Sequence, residues 1–138
     1  MRFVLDTNIV IAALSGSNEV AANLGGVPVE EVGIPLVVVA ELLYGARRSR
    51  RVDANLARVE QLRATFPVLP LSDDVVDRYG RVRAALEASG LSKSDFDLLI
   101  ACTALVSGAA LVTHDTALKD GSIIDLVVED WLEASRDT

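Results

Sequence analysis

One cysteine, Cys102, and one histidine, His114, occur among the 138 residues. A single thiol excludes an internal disulfide framework and points to a reducing compartment. No Ser–His–Asp arrangement competes for the chemistry, because His114 is the sole histidine. Long apolar runs are missing too. Ile34–Ala40 is among the longest and is far too short to span a bilayer. The N-terminus passes from Arg2 straight into Phe3-Val4-Leu5 and Asp6, without the pattern of a secretory signal. These features predict a soluble, cytoplasmic protein. Gly25-Gly26 lacks the spacing and the following lysine of a phosphate-cradling loop. Positive charge is scarce: 13 Lys and Arg stand against 20 Asp and Glu, a formal net charge of −7. That argues against a broad electrostatic grip on nucleic acid, which needs Lys and Arg to displace counterions. It leaves room for a nuclease, since a cluster of metal-binding carboxylates is itself negative.

The length fits one domain over residues 1–138, large enough to bury a real core. Hydrophobic residues at 51% and charged residues at 24% are globular rather than disordered proportions. Phe3-Val4-Leu5 is a short apolar run that stops at Asp6. Ile9–Leu14 reads as helix, with Asp6 or Thr7 as its start, and Glu19–Leu24 as a further turn or two. Ile34–Val38 is a β-branched run that reads as a buried strand, followed by helix from about Val39 to Ala46 and a basic loop over Arg47–Arg51. Val52–Phe66 has amphipathic helical spacing. Ser72 is placed to cap a helix running to about Ala88, and Ser94 to cap another that Gly108 stops. Ala110–Thr113 and Asp125–Val128 read as strands. Strands alternating with helices predict an α/β fold around a mostly parallel sheet with right-handed crossovers.

Four acids fall at strategic places in that pattern. Asp6 follows the first strand, Glu41 lies in the first turn of the helix after the second, and Asp115 lies just past the Ala110–Thr113 strand. Asp97 is in the first turn of the preceding helix. Ligands of open parallel sheets bind at the carboxyl ends of the strands, which gathers three of these acids by rule. Carboxylate oxygen suits Mg²⁺ or Mn²⁺, and such a site can activate water for phosphodiester cleavage. Each acid alone has a plainer reading. Asp6 and Asp115 could cap helices, and Ser94-Asp95-Phe96-Asp97 matches a capping box. Glu41 could face water at the helix edge, although an unpaired charge inside Val37–Tyr44 is costly. Cys102 and Trp131 read as packing residues, and His114 as a polar loop group. The case for chemistry rests on the four acids together.

The same residues resemble a known family. Phe3–Asn8, a hydrophobic strand ending in Asp-Thr-Asn, looks like the opening of PIN-domain proteins. Pro35–Gly45 resembles their second motif with its acid at Glu41, Asp97–Ala101 the third, and Leu111–Thr116 the fourth. The resemblance implies a three-layer α/β/α sandwich and Mg²⁺- or Mn²⁺-dependent endoribonuclease activity leaving 5′-phosphate and 3′-hydroxyl ends. It implies that Asp6, Glu41, Asp97 and Asp115 form the catalytic, metal-binding cluster, with Asn8 and Thr113 supporting it. The compact length and the PLVVVAELLYG segment look most like VapC-type toxins of toxin–antitoxin pairs.

Three other readings compete: a housekeeping RNA-processing PIN nuclease, a catalytically silent PIN interaction module, and a receiver domain. The presence of all four acids argues against the silent module. The receiver lacks support because Thr7 and Asn8, not acids, follow Asp6. Arg47, Arg48, Arg50 and Arg51 form the densest basic cluster, either a contact for RNA phosphates or a solvated loop. The family resemblance implies an antitoxin partner. A mean hydropathy of +0.37 and the apolar stretches Ile9–Leu24 and Leu42–Ala46 suggest a groove for its amphipathic helix and a homodimer.

Overall fold

The computed structural model describes residues 1–133. Its five strands are β1 (Phe3–Leu5), β2 (Val32–Pro35), β3 (Val68–Leu69), β4 (Ala110–Val112) and β5 (Val128–Glu129). They form one sheet in the order β3-β2-β1-β4-β5, and every pairing is parallel. The helices are α1 (Thr7–Leu14), α2 (Asn18–Gly25), α3 (Leu36–Arg48), α4 (Val52–Thr65), α5 (Asp73–Ala88), α6 (Asp95–Ser107) and α7 (Thr116–Lys119), with a 3₁₀ turn at Val29–Glu31. Central β1 is buried throughout, as strands covered on both faces must be.

The second strand lies earlier than the β-branched run suggests. β2 is Val32–Pro35, and Leu36 already begins α3. The ladder explains the shift. Phe3 pairs with Val32 and Val4 with Gly33, so β1 ends one residue on, at Leu5. A strand continued to Val38 would leave its backbone N–H and C=O groups without partners on that side, which burial forbids. Pro35, with φ −59°, sits at the helix entry instead, and Val37, Val38 and Val39 are buried in helical geometry. Packing has overridden their β-propensity.

The last strand is also shifted, from the expected Asp125–Val128 to Val128–Glu129. Asp125 adopts φ 68°, a left-handed conformation that cannot belong to an extended strand. The expected loop at Arg47–Arg51 is half helix: Arg47 and Arg48 form the last turn of α3. The helix α2 runs one residue further at each end than Glu19–Leu24. A Cβ at Gly33 would stand 2.6 Å from Leu69 Cδ1 of β3, so the Leu69 side chain would have to shift to admit one. Trp131 packs edge-on against Phe3 with ring centroids 5.1 Å apart, anchoring the segment after β5 to the central strand. Cys102 lies in the core, where burial pushes its thiol up to about 11. No helix among the described residues is long and apolar enough to cross a membrane.

Candidate active site

Asp6 stands where β1 gives way to α1. Its Oδ1 accepts from the Thr7 backbone N–H at 2.8 Å, so it does cap the helix. The cap is not its whole role. Asp6 is only 4% exposed, and its Oδ2 accepts from Thr113 Oγ1 at 2.6 Å. A solvated cap needs neither burial nor a second donor. Burial pushes the Asp6 carboxyl above its ordinary range, hydrogen bonds from Thr113 and Thr7 pull it back, and Glu41 and Asp115 push it up again.

Thr113 joins two of the acids. While donating to Asp6 it accepts from the Asp115 backbone N–H at 3.0 Å, which fixes the turn after β4. Asp115 caps α7, its Oδ1 accepting from Ala117 N–H at 2.9 Å. The neighbouring His114 N–H donates to Asn8 Oδ1 at 3.3 Å, so Asn8 ties the start of α1 to the same turn. His114 Nδ1 lies 2.8 Å from Asp130 Oδ2, which also accepts from Lys119 Nζ at 2.8 Å.

Glu41 is half-buried in the second turn of α3 rather than the first, because the helix starts at Leu36. Its Oε1 accepts from Thr7 Oγ1 at 2.8 Å. Thr7 thereby holds Glu41 beside Asp6, a role that sequence reasoning missed; the signal was its place in the Asp-Thr-Asn turn. Asp97 lies in the first turn of α6, where Ser94 Oγ accepts its backbone N–H at 3.2 Å. Burial raises the Asp97 carboxyl above its usual range, against a hydrogen bond with Ser94, and the charges of Asp115 and Asp6 add to the rise. Asp95, two residues earlier, turns to α5 and accepts from Tyr79 Oη at 2.7 Å and Arg83 at 3.1 Å.

Asp6 thus lies within electrostatic reach of the other three acids, and Asp97 within reach of Asp115. Among the described residues none of them is ion-paired with Lys or Arg. No three acidic, His or Cys side chains among those residues stand close enough to hold an ion outright. The donor set nevertheless fits a hard divalent cation, since Mg²⁺ prefers carboxylate oxygen and keeps several of its own waters instead of demanding a complete protein cage. The four arginines of the basic cluster are exposed. α3 starts at the carboxyl edge and runs away from it, so Arg48 lies about 10 Å along the axis beyond Glu41 at 1.5 Å per residue.

Comparison with known proteins gives the family. The PIN domain family profile matches residues 3–123. Ribonuclease VapC2 of Rickettsia felis is 30% identical over 134 residues, covering 95% of this chain and 98% of the relative. A tRNA(fMet)-specific endonuclease VapC of Shigella flexneri is 30% identical over 131 residues, with the same coverage of 95% and 98%. A crystal structure of VapBC2 from Rickettsia felis, bound to a DNA fragment from their promoter, superposes with a TM-score of 0.84 at 30% identity, covering 95% of this chain and 99% of that one. With that fold and those acids at the carboxyl edge of its sheet, the chain belongs to the PIN-domain family, among its VapC-type members.

Proposed function

We propose that this protein is a divalent-metal-dependent endoribonuclease, the toxin of a toxin–antitoxin pair acting in the cytoplasm. The observation that carries the reading is the convergence on Asp6 of Glu41, through Thr7, and of Asp115, through Thr113, with Asp97 within electrostatic reach and no cation from the described residues paired to any of the four. Mg²⁺ or Mn²⁺ would be held by these carboxylates, and when bound it supplies Lewis-acid polarisation of a phosphodiester and a water of lowered pKa. The chain's own contribution is placement. The Thr7 backbone N–H and Thr113 hydroxyl fix both oxygens of Asp6. The Thr7 hydroxyl fixes Glu41, and Asn8 and Thr113 set the turn that presents Asp115. The relatives named VapC favour the toxin over a housekeeping nuclease.

An antitoxin partner is supported by a groove beside the acids. Ile11 and Leu14 of α1, Leu42 and Ala46 of α3 and Val59 of α4 line it, with Glu41 at one side. Ile11 is 51% exposed, whereas Ile9 and Val10 of the same helix are buried. An amphipathic helix fits such a surface, and a basic side chain from it would meet the acids. A homodimer completes the proposed assembly.

The test uses purified protein and structured RNA. Cleavage is expected with Mg²⁺ or Mn²⁺, none in excess chelator, and none with Asp6→Asn. Co-expression with the product of the neighbouring small gene is expected to restore growth and yield a co-purifying complex. Undiminished cleavage in chelator would overturn the metal reading. A chain that is harmless on expression and binds no such neighbour would overturn the toxin reading.

A further inference from the structure

Lys93 stands outside the catalytic set yet is 5% exposed at its side chain, unusual burial for a lysine. It occupies the loop immediately before Ser94, the cap of α6, four residues ahead of Asp97. Its ammonium reaches across to the α7 segment. There it donates to the carbonyl oxygen of Ala117, two residues beyond Asp115, and to Asp120 Oδ2 at 2.9 Å. Among the described residues no other side-chain donor joins the loop ahead of α6 to this segment. Asp120 is itself braced, its Oδ1 accepting from both the hydroxyl and the N–H of Ser122.

The need for such a brace follows from the electrostatics. Asp6 and Asp115 are positioned through the β1–β4 pairing and Thr113. Asp97 comes from a helix start, and sheet pairing does not set its separation from Asp115. Like charges at that separation push the two segments apart. A lysine aimed at the acids would neutralise them and compete with a metal. Lys93 is matched instead to Asp120 and a carbonyl, so it joins the two segments and leaves the charge of the acids free.

We propose that Lys93 is a positioning residue that holds Asp97 and Asp115 at the separation needed to share a divalent cation. This rests on the metal reading of the site given above. Groups that orient metal ligands without touching the metal typically contribute ten- to a hundredfold in affinity.

The test is Mn²⁺ binding to the purified full chain, followed by the electron paramagnetic resonance signal of free Mn²⁺, with folding checked by thermal melting. Lys93→Met, which keeps the stem and removes the charge, is expected to weaken Mn²⁺ binding about tenfold while remaining folded. Lys93→Arg is expected to recover most of the loss, and Asp120→Asn to shift affinity in the same direction by less. Lys93→Met combined with Asp120→Asn should add little to Lys93→Met alone, since both break one interaction. A folded Lys93→Met chain with wild-type Mn²⁺ affinity overturns the inference and leaves the metal site standing. If Lys93→Met does not fold, unchanged affinity in Asp120→Asn overturns it. A wild-type chain that takes up no Mn²⁺ overturns the metal reading, and this inference with it.

Discussion

Thr113 Oγ1 donates to Asp6 Oδ2 across 2.6 Å, linking residues 107 positions apart in the chain. Both groups are buried, and the same hydroxyl oxygen accepts from Asp115 N–H. One side chain therefore sets the spacing of two acids. Thr113→Val preserves the shape and removes both bonds, leaving a buried carboxylate oxygen short of a donor, a loss of about 1–3 kcal/mol. The expected outcome is a lower melting temperature and a fall in RNA cleavage of roughly ten- to a hundredfold. Thr113→Ser is expected to restore most of both. Wild-type turnover in Thr113→Val would remove Thr113 from the site.

Asp95 and Asp97 lie in one helical turn but face different partners. Asp95 is taken up by Tyr79 and Arg83 of α5. Asp97 feels Asp115 and Asp6. Asp97→Asn is expected to lower the cleavage rate on the order of a hundredfold or more, as loss of a charge-stabilising group does. Asp95→Asn should keep most activity. Steady-state rates on one defined RNA decide between them, and the reverse pattern would show the wrong acid has been placed at the metal.

Burial and neighbouring acids raise the Asp97 carboxyl in the folded chain. The folded state then holds more protons than the unfolded one between the two pKa values, so stability falls as pH rises through that window. The window opens near the unfolded value of about 3.9. In chelator, wild type should lose melting temperature relative to Asp97→Asn as pH is raised from about 4 toward neutrality. Added Mg²⁺ should reverse the loss in wild type. Calorimetric melts across that range check it, and parallel curves would refute it.

Asp130 has the opposite sign. Burial pushes its carboxyl up, but bonds from Lys119 and His114 outweigh it and hold the group at about 2. Its stabilisation is complete above the unfolded value of about 3.9 and is lost as pH falls through about 2. Asp130→Asn should lower the melting temperature at neutral pH and have little effect in strong acid, measured against wild type by the same melts.

The basic cluster gives a salt test. Arg48 rests on the ring of Tyr44, its guanidinium carbon 5.8 Å from the centroid, and Arg47 shares the last turn of α3, while Arg50 and Arg51 lie beyond the helix end. If they meet RNA phosphates, replacing both with Ala in an Asp6→Asn background should flatten the logarithmic salt slope of binding by about 0.7 for each phosphate no longer neutralised. An unchanged slope would make the cluster a solvated end of α3.

Much of this arrangement was legible before any fold. The first strand, the helix caps at Ser72 and Ser94 and the stop at Gly108 follow from local chemistry that the structure keeps. The second strand was misplaced because Ile34–Val38 is β-branched throughout, and where its ladder ends depends on the length of β1, which is not local information. The four acids stand out by their positions, and the family resemblance names Asn8 and Thr113 beside them, but it names no role for Thr7 or Lys93. Thr7 bonding Glu41 and Lys93 bonding Asp120 join residues 34 and 27 positions apart, and no periodicity encodes such pairs.

The order β3-β2-β1-β4-β5 also has a meaning in time. A chain emerging from the ribosome presents Asp6 and Glu41 first, with β2 already available to pair with β1. The other edge of β1 stays open until Ala110–Val112 is made. Until residues 113 and 115 have followed it out, the nascent chain lacks Asp115, the last of the four acids, and Thr113, which fixes Asp6. Translation itself thus delays assembly of the site, which is complete only once β4 has docked against β1.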